Sequence, residues 1–490
     1  MADAGNELTI VVVGGSGDLA RRKVYPALFA LYSQGLLPPR FTVVGFARSP
    51  FTHEAFREHI AGSLTCRYTP GAECADRMGE FLARCFYASG QYDSSAAFLD
   101  LYQLLGTLES GRKVNRLFYL AIPPSVFLSV AHAIGGAGLV DCGTDDPWTR
   151  VVLEKPFGRD RASSDELTRE MGKVFREHQT FRIDHYLGKE VIQNLLVLRF
   201  ANLIFEPVWN CRCVRGVQIA WKEDLGVEGR GGYFDRYGIV RDVMQNHLLQ
   251  ILALVAMEPP ASLDGNAIRN EKVRALRAVA PVAAADLVVG QYTAAARDGR
   301  AWPGYTDDPT VARDSLTPTF AAAVLQVHTP RWEGVPFFIS AGKGLDARLT
   351  EIRIHFRDVE HNLFCRDADC PAANELVIRV QPQEAIDFRI VNKVPGLEMK
   401  LAARELDLRY TSAFSGAIIP DAYESLLLEV LRGERGPFIR SDELEAAWDI
   451  VTPVLHELES SRVRPEPYEF LGRGPAAAHA LAARLGMTLP

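Results

Sequence analysis

Leu8–Val13 is a continuous apolar, β-branched run, which predicts a strand buried on both faces, as in a parallel sheet. The glycine turn after it leads into a helical pattern over residues 20–33. Similar short apolar runs predict buried strands at 41–46, 117–122 and 151–153. Between them, helical periodicity predicts helices at 54–63, 76–86, 96–109 and 124–135. Strands alternating with helices specify a doubly wound α/β domain. Beyond residue 182 the pattern changes. Helices at 189–200 and 240–257 precede strand-like segments at 321–328, 334–340, 351–356, 375–381 and 386–392. Strands that succeed strands predict a largely antiparallel sheet. Helical pattern returns at 421–432 and 441–458. The expected architecture is α/β plus α+β: a Rossmann-like dinucleotide-binding domain over 1–182, then a larger substrate-binding and oligomerisation domain over 183–490.

The turn Gly14-Gly15-Ser16-Gly17-Asp18-Leu19-Ala20 follows a buried strand and opens a helix. Glycines there let the backbone approach a pyrophosphate, and the helix N-terminus faces it. The spacing departs from Gly-x-Gly-x-x-Gly, and a tight strand-to-helix turn needs glycine in any case. The next strand ends in Ala47-Arg48-Ser49. Arg48 and a hydroxyl suit the 2′-phosphate of NADP, where NAD enzymes usually carry a carboxylate. Glu154-Lys155-Pro156-Phe157-Gly158 ends another strand at the carboxyl edge of the sheet, with Lys155 placed for nicotinamide and substrate and Pro156 a candidate for a cis peptide.

Asp184-His185-Tyr186-Leu187-Gly188-Lys189 packs an acid, an imidazole, a phenol and an ammonium around a glycine at a predicted strand-to-helix junction. His185 and Lys189 can neutralise a phosphate and Tyr186 can donate to it. Asp184 is an acceptor, suited to orienting a histidine. The bland reading is a charged loop capping a surface helix. Farther on, His247 shares an α-helical face with Val243 and Ile251, a position more often taken by a core histidine. Asp242, Gln245, Asn246 and Gln250 surround it and turn that helix into the wall of a site. Glu223 and Asp242 are candidates for accepting sugar hydroxyl hydrogens. The glycine-rich stretch 229–233 reads as a flexible loop over the helix.

Composition narrows the class without changing it. The chain has 490 residues, 48% hydrophobic and 23% charged, an ordinary globular balance. A net charge of −7 argues against nucleic acid, and no apolar run reaches the length of a membrane span. Residues 1–7 lack the basic and apolar regions of a secretory leader, so a cytoplasmic protein is expected. Eight cysteines in no zinc-like spacing predict reduced thiols, no disulfide and no metal.

At these motifs, and at Ala341-Gly342-Lys343 and Ser441-Asp442-Glu443-Leu444, the chain resembles the glucose-6-phosphate dehydrogenase family over nearly its whole length. The resemblance implies hydride transfer from C1 of glucose 6-phosphate to NADP+, giving 6-phosphoglucono-1,5-lactone at the entry of the pentose phosphate pathway. It implies His247 as general base, Asp184 as its orienting carboxylate, and His185, Tyr186 and Lys189 as phosphate ligands. Lys155, Glu223, Asp242, Lys343 and Gln381, with Arg348 nearby, would fix the sugar. Gly14, Gly15, Ser16, Gly17, Asp18, Leu19, Arg48 and Lys155 would hold NADP. A second, structural NADP in some members would correspond to Lys222, Arg353, Arg379, Arg389, Asp407 and Arg473. Leu349 and Asp387 depart from that pattern, where a lysine and a tyrosine are expected, and the chain stops at Pro490, short of the C-terminal tail those members add there. A homodimer or homotetramer is implied. Two other readings are an aldose oxidoreductase of the glucose–fructose oxidoreductase type, which would not need the phosphate ligands, and a catalytically silent NADP-binding sensor.

Overall fold

The structure is a computed structural model that describes residues 7–140, 146–297, 299–365 and 370–490; Cys142 lies outside them. It divides into two compact units. The first comprises Met1–Glu190 with Asp264–Arg269 and Ile418–Leu444, so it is assembled from three stretches of chain rather than one. Its strands are β1 (Leu8–Val13), β2 (Phe41–Ala47), β3 (Cys85–Ser89), β4 (Asn115–Leu120), β5 (Thr149–Leu153) and β6 (Thr180–Ile183). Every residue of β1 is buried, as expected of a strand covered on both faces. It lies parallel between β2 and β4. The sheet order is β6-β5-β4-β1-β2-β3, the doubly wound order, with the two-residue strand Phe438–Ile439 added antiparallel outside β6. All six parallel strands therefore end at one edge of the sheet.

The helix expected over 76–86 is instead Ala72–Ala83, and Phe86 belongs to β3. Pairing of β3 with β2 outweighs the local helical pattern there. The expectation of reduced thiols is also corrected, since Cys66–Cys74 and Cys365–Cys370 are disulfide-bonded. Gly71 turns the chain into the helix that carries Cys74, and the Cys66 and Cys74 Cα atoms come within 5.7 Å, inside bonding range. The sequence argument rested on redox compartment, which says nothing of this local geometry. Arg67 and Tyr68 in the closed loop reach Glu424 on the helix Ala422–Arg432.

The second unit comprises Val191–Leu263, Asn270–Ala417 and Glu445–Pro490. Its main strands are β7 (Val214–Lys222), β8 (Leu287–Thr293), β9 (Phe320–Gln326), β10 (Pro336–Gly342), β11 (Leu349–Phe356), β12 (Glu375–Gln381), β13 (Ala385–Lys393), β14 (Leu401–Arg409) and β15 (Glu466–Glu469). They form one sheet in the order β14-β13-β12-β11-β7-β10-β9-β8-β15. Only β7 with β10 and β8 with β15 pair in parallel, so the sheet is largely antiparallel. A helix running through Val240–Leu248 and Leu249–Ala256 packs on β10 and β7. No helix among the described residues is long and apolar enough to cross a membrane.

Across β11 to β14, one face carries a ladder of opposite charges. Glu375 accepts from Arg389 at 2.7 Å and faces Arg353 at 3.5 Å and His355 at 3.1 Å, while Arg389 also reaches Glu405 at 2.8 Å. Burial alone would raise the Glu375 carboxyl. The hydrogen bond from His355 and the charges of Arg353 and Arg389 overcome it and hold the group down at about 2. A carboxyl depressed in the folded state stabilises the fold fully above its unfolded value of about 4.3 and loses that contribution as pH falls towards 2. Denaturant unfolding between pH 5 and pH 2 should therefore show stability falling in the parent chain. Glu375→Gln should show a flatter profile over the same window.

Candidate functional site

Each unit gathers its own set of candidate residues. In the first, the turn after β1 is built by backbone contact. The Gly14 and Gly15 N–H groups both donate to the Phe46 carbonyl, at 2.7 and 3.2 Å, and the Tyr25 hydroxyl donates to the Gly15 carbonyl at 2.9 Å. Gly14 has a φ of +86°, and a Cβ there would stand 2.2 Å from the Ala121 oxygen. A Cβ on Gly15 would come within 2.7 Å of the Gly45 Cα. Glycine is thus required by the close approach of β1 to its two neighbours. At Gly17 a Cβ would meet only the Gly14 oxygen, at 3.1 Å, and is otherwise open. The helical turn Ala20–Val24 begins just beyond and runs on into Tyr25–Ser33, so the open side of the glycine turn lies at a helix N-terminus, the end that favours anions. This cradle fits a dinucleotide pyrophosphate.

Beside it, Ser16 donates to Ser49 at 3.3 Å, and the exposed Arg48 guanidinium lies 5.4 Å from the centre of the Tyr92 ring. Asp18 is exposed and paired with Arg21 and Arg22 on the helix, and Leu19 is the residue before the first helical turn. Tyr92 escaped the sequence reading because a lone tyrosine in a turn carries no periodic signal.

At the same sheet edge β5 runs into Glu154 and Lys155, and the Lys155–Pro156 peptide is cis, as the sequence suggested. Glu154 is buried and accepts a hydrogen bond of 2.5 Å from Tyr119 and another from Tyr423. Burial raises its carboxyl despite those two donors. Next along, β6 runs into Asp184, which is 1% exposed and accepts from the Tyr186 N–H at 2.9 Å. Successive turns follow, Leu187 N–H to Asp184, Gly188 N–H to His185 and Lys189 N–H to Tyr186. The helix begins only at Glu190, so turns rather than an α-helical face bring His185, Tyr186 and Lys189 together. The Lys189 ammonium lies 5.2 Å from the Tyr186 ring centre and the His185 and Tyr186 rings are 5.0 Å apart.

The second unit gathers its residues at one end of the large sheet. Glu223 follows β7, Lys343 follows β10, Arg348 precedes β11 and Gln381 ends β12. The pairings Lys222 with Gly342, Lys222 with Leu349 and Thr350 with Gln381 put these four positions side by side. Lys343 bonds Glu223 at 2.6 Å and its ammonium lies 5.3 Å from the Trp221 ring centre. Arg348 is exposed in its loop.

The helix over these strands differs from the sequence expectation. Val240–Leu248 is π-helical, a geometry that still leaves Val243 and His247 on one face but changes which polar positions join them. An i→i+5 ladder draws positions five apart, Asp242 and His247, towards the same side, where an α-helix would point them well away from each other. His247 is 2% exposed, with its backbone N–H donating to Asn246 Oδ1 at 2.7 Å, and Gln245, Asn246 and Gln250 are buried around it. Asp242 also faces Tyr233, whose phenol is pushed up first by burial and then by that carboxylate. The loop carrying Tyr233 is tied to the segment 305–315 by hydrogen bonds. Gly229 N–H donates to Asp308, Gly232 N–H to Thr310, and Tyr305 and Ser315 hydroxyls both donate to Asp235.

The remaining candidates are already ion-paired. Lys222 and Arg473 share Asp346, Arg353 pairs with Glu351 and Glu375, Arg379 with Asp387, Arg389 with Glu375 and Glu405, and Asp407 with Arg409. That face carries alternating positive and negative charge.

Two family models cover nearly all of the chain. The NAD binding domain of glucose-6-phosphate dehydrogenase matches residues 11–194 and its C-terminal domain matches residues 196–489. The chain belongs to the glucose-6-phosphate dehydrogenase family. It is 54% identical over 481 residues to the chloroplastic glucose-6-phosphate 1-dehydrogenase 1 of Arabidopsis thaliana, covering 97% of this chain and 82% of that protein. It is 47% identical to the cytoplasmic isoform of Solanum tuberosum, covering 98% and 92%. A solved glucose-6-phosphate dehydrogenase in complex with glucose 6-phosphate superposes with a TM-score of 0.92 at 42% identity, covering 100% of both chains.

The glycine turn after β1 offers a direct test. Gly14→Ala must place a side chain at positive φ against backbone, which costs at least roughly 1–3 kcal/mol. The variant should melt well below the parent in thermal unfolding. Gly17→Ala, meeting one carbonyl at 3.1 Å, should melt close to it.

Proposed function

We propose that this chain oxidises D-glucose 6-phosphate to 6-phospho-D-glucono-1,5-lactone, with hydride transfer to NADP+, the first step of the pentose phosphate pathway. The observation that carries the reading is the cluster His185, Tyr186 and Lys189 at the sheet edge that also carries the glycine cradle. A phosphorylated substrate needs the Lys189 charge and the His185 and Tyr186 donors, and an unphosphorylated sugar does not. Arg48 beside Ser49 supports NADP over NAD. When bound, NADP+ accepts the hydride. The chain's own residues bind, orient and move one proton. His247 takes the proton of the C1 hydroxyl, and Asp184 keeps the imidazole in the correct tautomer and stabilises the imidazolium. His185, Tyr186 and Lys189 hold the phosphate. Lys155, Glu223, Asp242, Lys343, Arg348 and Gln381 hold the ring hydroxyls, with Lys155 also facing the cofactor side.

The proposal is one NADP per chain, because the basic groups matched to a second site are each paired with a carboxylate of this chain. It includes a homodimer or homotetramer, supported by the edge strand β14 with Leu406 and Leu408 exposed. A cytoplasmic location is also part of it, and cell fractionation tests that against a chloroplast.

Formation of NADPH, followed spectrophotometrically with glucose 6-phosphate and with glucose, tests the whole reading. Strong preference for the phosphorylated sugar is expected, and equal rates would defeat it. His247→Asn should lower kcat by about 10²–10⁴-fold with KM nearly unchanged, since a general base acts in the transition state. Lys189→Ala should raise KM for glucose 6-phosphate by about ten- to a hundredfold and leave the weak rate with glucose unaltered. Arg48→Ala should weaken NADP+ binding by about 1.5–3 kcal/mol and NAD+ binding hardly at all, as titration would show.

A further inference from the structure

One side chain from far downstream reaches two elements of the first unit's site. Tyr423 is the second residue of the helix Ala422–Arg432, whose N-cap Asp421 accepts from the Tyr423 N–H at 3.0 Å. This helix is part of the first unit although it lies more than two hundred residues beyond β6 in sequence. Gly188 is what admits it. A Cβ on Gly188 would stand 2.6 Å from the Ala422 oxygen and 2.8 Å from Leu426. The Tyr423 ring lies nearly parallel to the His185 imidazole, with 13° between planes and 6.4 Å between centres, an offset stack. Its hydroxyl bonds the buried Glu154 carboxyl, the residue immediately before Lys155. The Lys23 ammonium lies 5.7 Å from the ring centre and bonds Asp421 at 3.0 Å, which holds the helix start in place. Tyr423 itself is 8% exposed.

We propose that Tyr423 is a positioning residue that fixes two groups at once: its ring sets the plane of His185, and its hydroxyl, through Glu154, sets Lys155. The inference rests on the reading of His185 as a phosphate ligand and of Lys155 as a sugar and cofactor contact. The two groups leave different strands, β6 and β5, and end in irregular chain that backbone pairing does not fix. A rigid tyrosine with one ring and one donor can register one against the other. The signal is silent in sequence, since Tyr423 falls on the buried face of an amphipathic helix and reads as core.

The two contacts separate by substitution. Tyr423→Phe keeps the ring and removes the hydroxyl. It should lower kcat by roughly tenfold, on the scale of a hydrogen bond to a buried carboxyl, with KM for glucose 6-phosphate within about twofold. Tyr423→Leu removes the ring as well. It should also raise KM for glucose 6-phosphate by roughly three- to tenfold. Double mutants decide whether these effects pass through the named partners. Tyr423→Leu placed in His185→Ala should add nothing to KM, and Tyr423→Phe placed in Lys155→Ala should add nothing to kcat. A residue with only a structural role would lower thermal stability in both variants and act equally in every background. Unaltered kinetics in both single variants, or additive effects in both double mutants, would overturn the inference. If His185→Ala alone leaves KM for glucose 6-phosphate unaltered, the phosphate-ligand reading is what fails, and this inference falls with it.

Discussion

Every candidate residue of the first unit depends on one constraint: six strands run parallel, so six chain exits share one edge. A parallel sheet must be covered on both faces, and that burial holds the strands in register. The glycine turn, Arg48, Glu154-Lys155 and the Asp184–Lys189 turns are then neighbours without any contact between them in sequence. The side chains need only add chemistry to positions the backbone has already supplied.

The large sheet of the second unit reaches a similar result by different means. Its strands are mostly antiparallel, so starts and ends alternate at each edge. The parallel pair β7 and β10 is what places Glu223 and Lys343 at the same end, and the antiparallel partners β11 and β12 bring Arg348 and Gln381 there. The helix above them gains one feature from its π-helical hydrogen bonding. Asp242 and His247 share a side, and the cost of the looser ladder is offset by burial of nearly the whole helix.

Buried polar groups in the first unit mark where site geometry and fold stability meet. Glu154 is held by two tyrosine hydroxyls and would be costly to leave without them. Those tyrosines come from β4 and from the helix Ala422–Arg432, so the network ties the early part of the unit to the segment that returns late. Arg67 and Tyr68, in the loop closed by the Cys66–Cys74 disulfide, bond Glu424 in the first turn of the same helix.

The sequence by itself determined the alternation of strands and helices, the glycine cradle, the arginine at the end of β2 and the charged turn after β6. These are legible because each is local: a periodicity, a turn requirement or a cluster within a few residues. What local signals could not carry was decided by tertiary structure. β3 forms against β2 where helical pattern ran on, the helix around His247 takes π geometry, and two thiol pairs expected to be reduced are bonded. The return of Ile418–Leu444 to the first unit and the reach of Tyr423 to His185 and Glu154 belong to the same class. Each depends on contacts between residues far apart in the chain. Such contacts are settled by how faces pack, and no short stretch of sequence contains both partners.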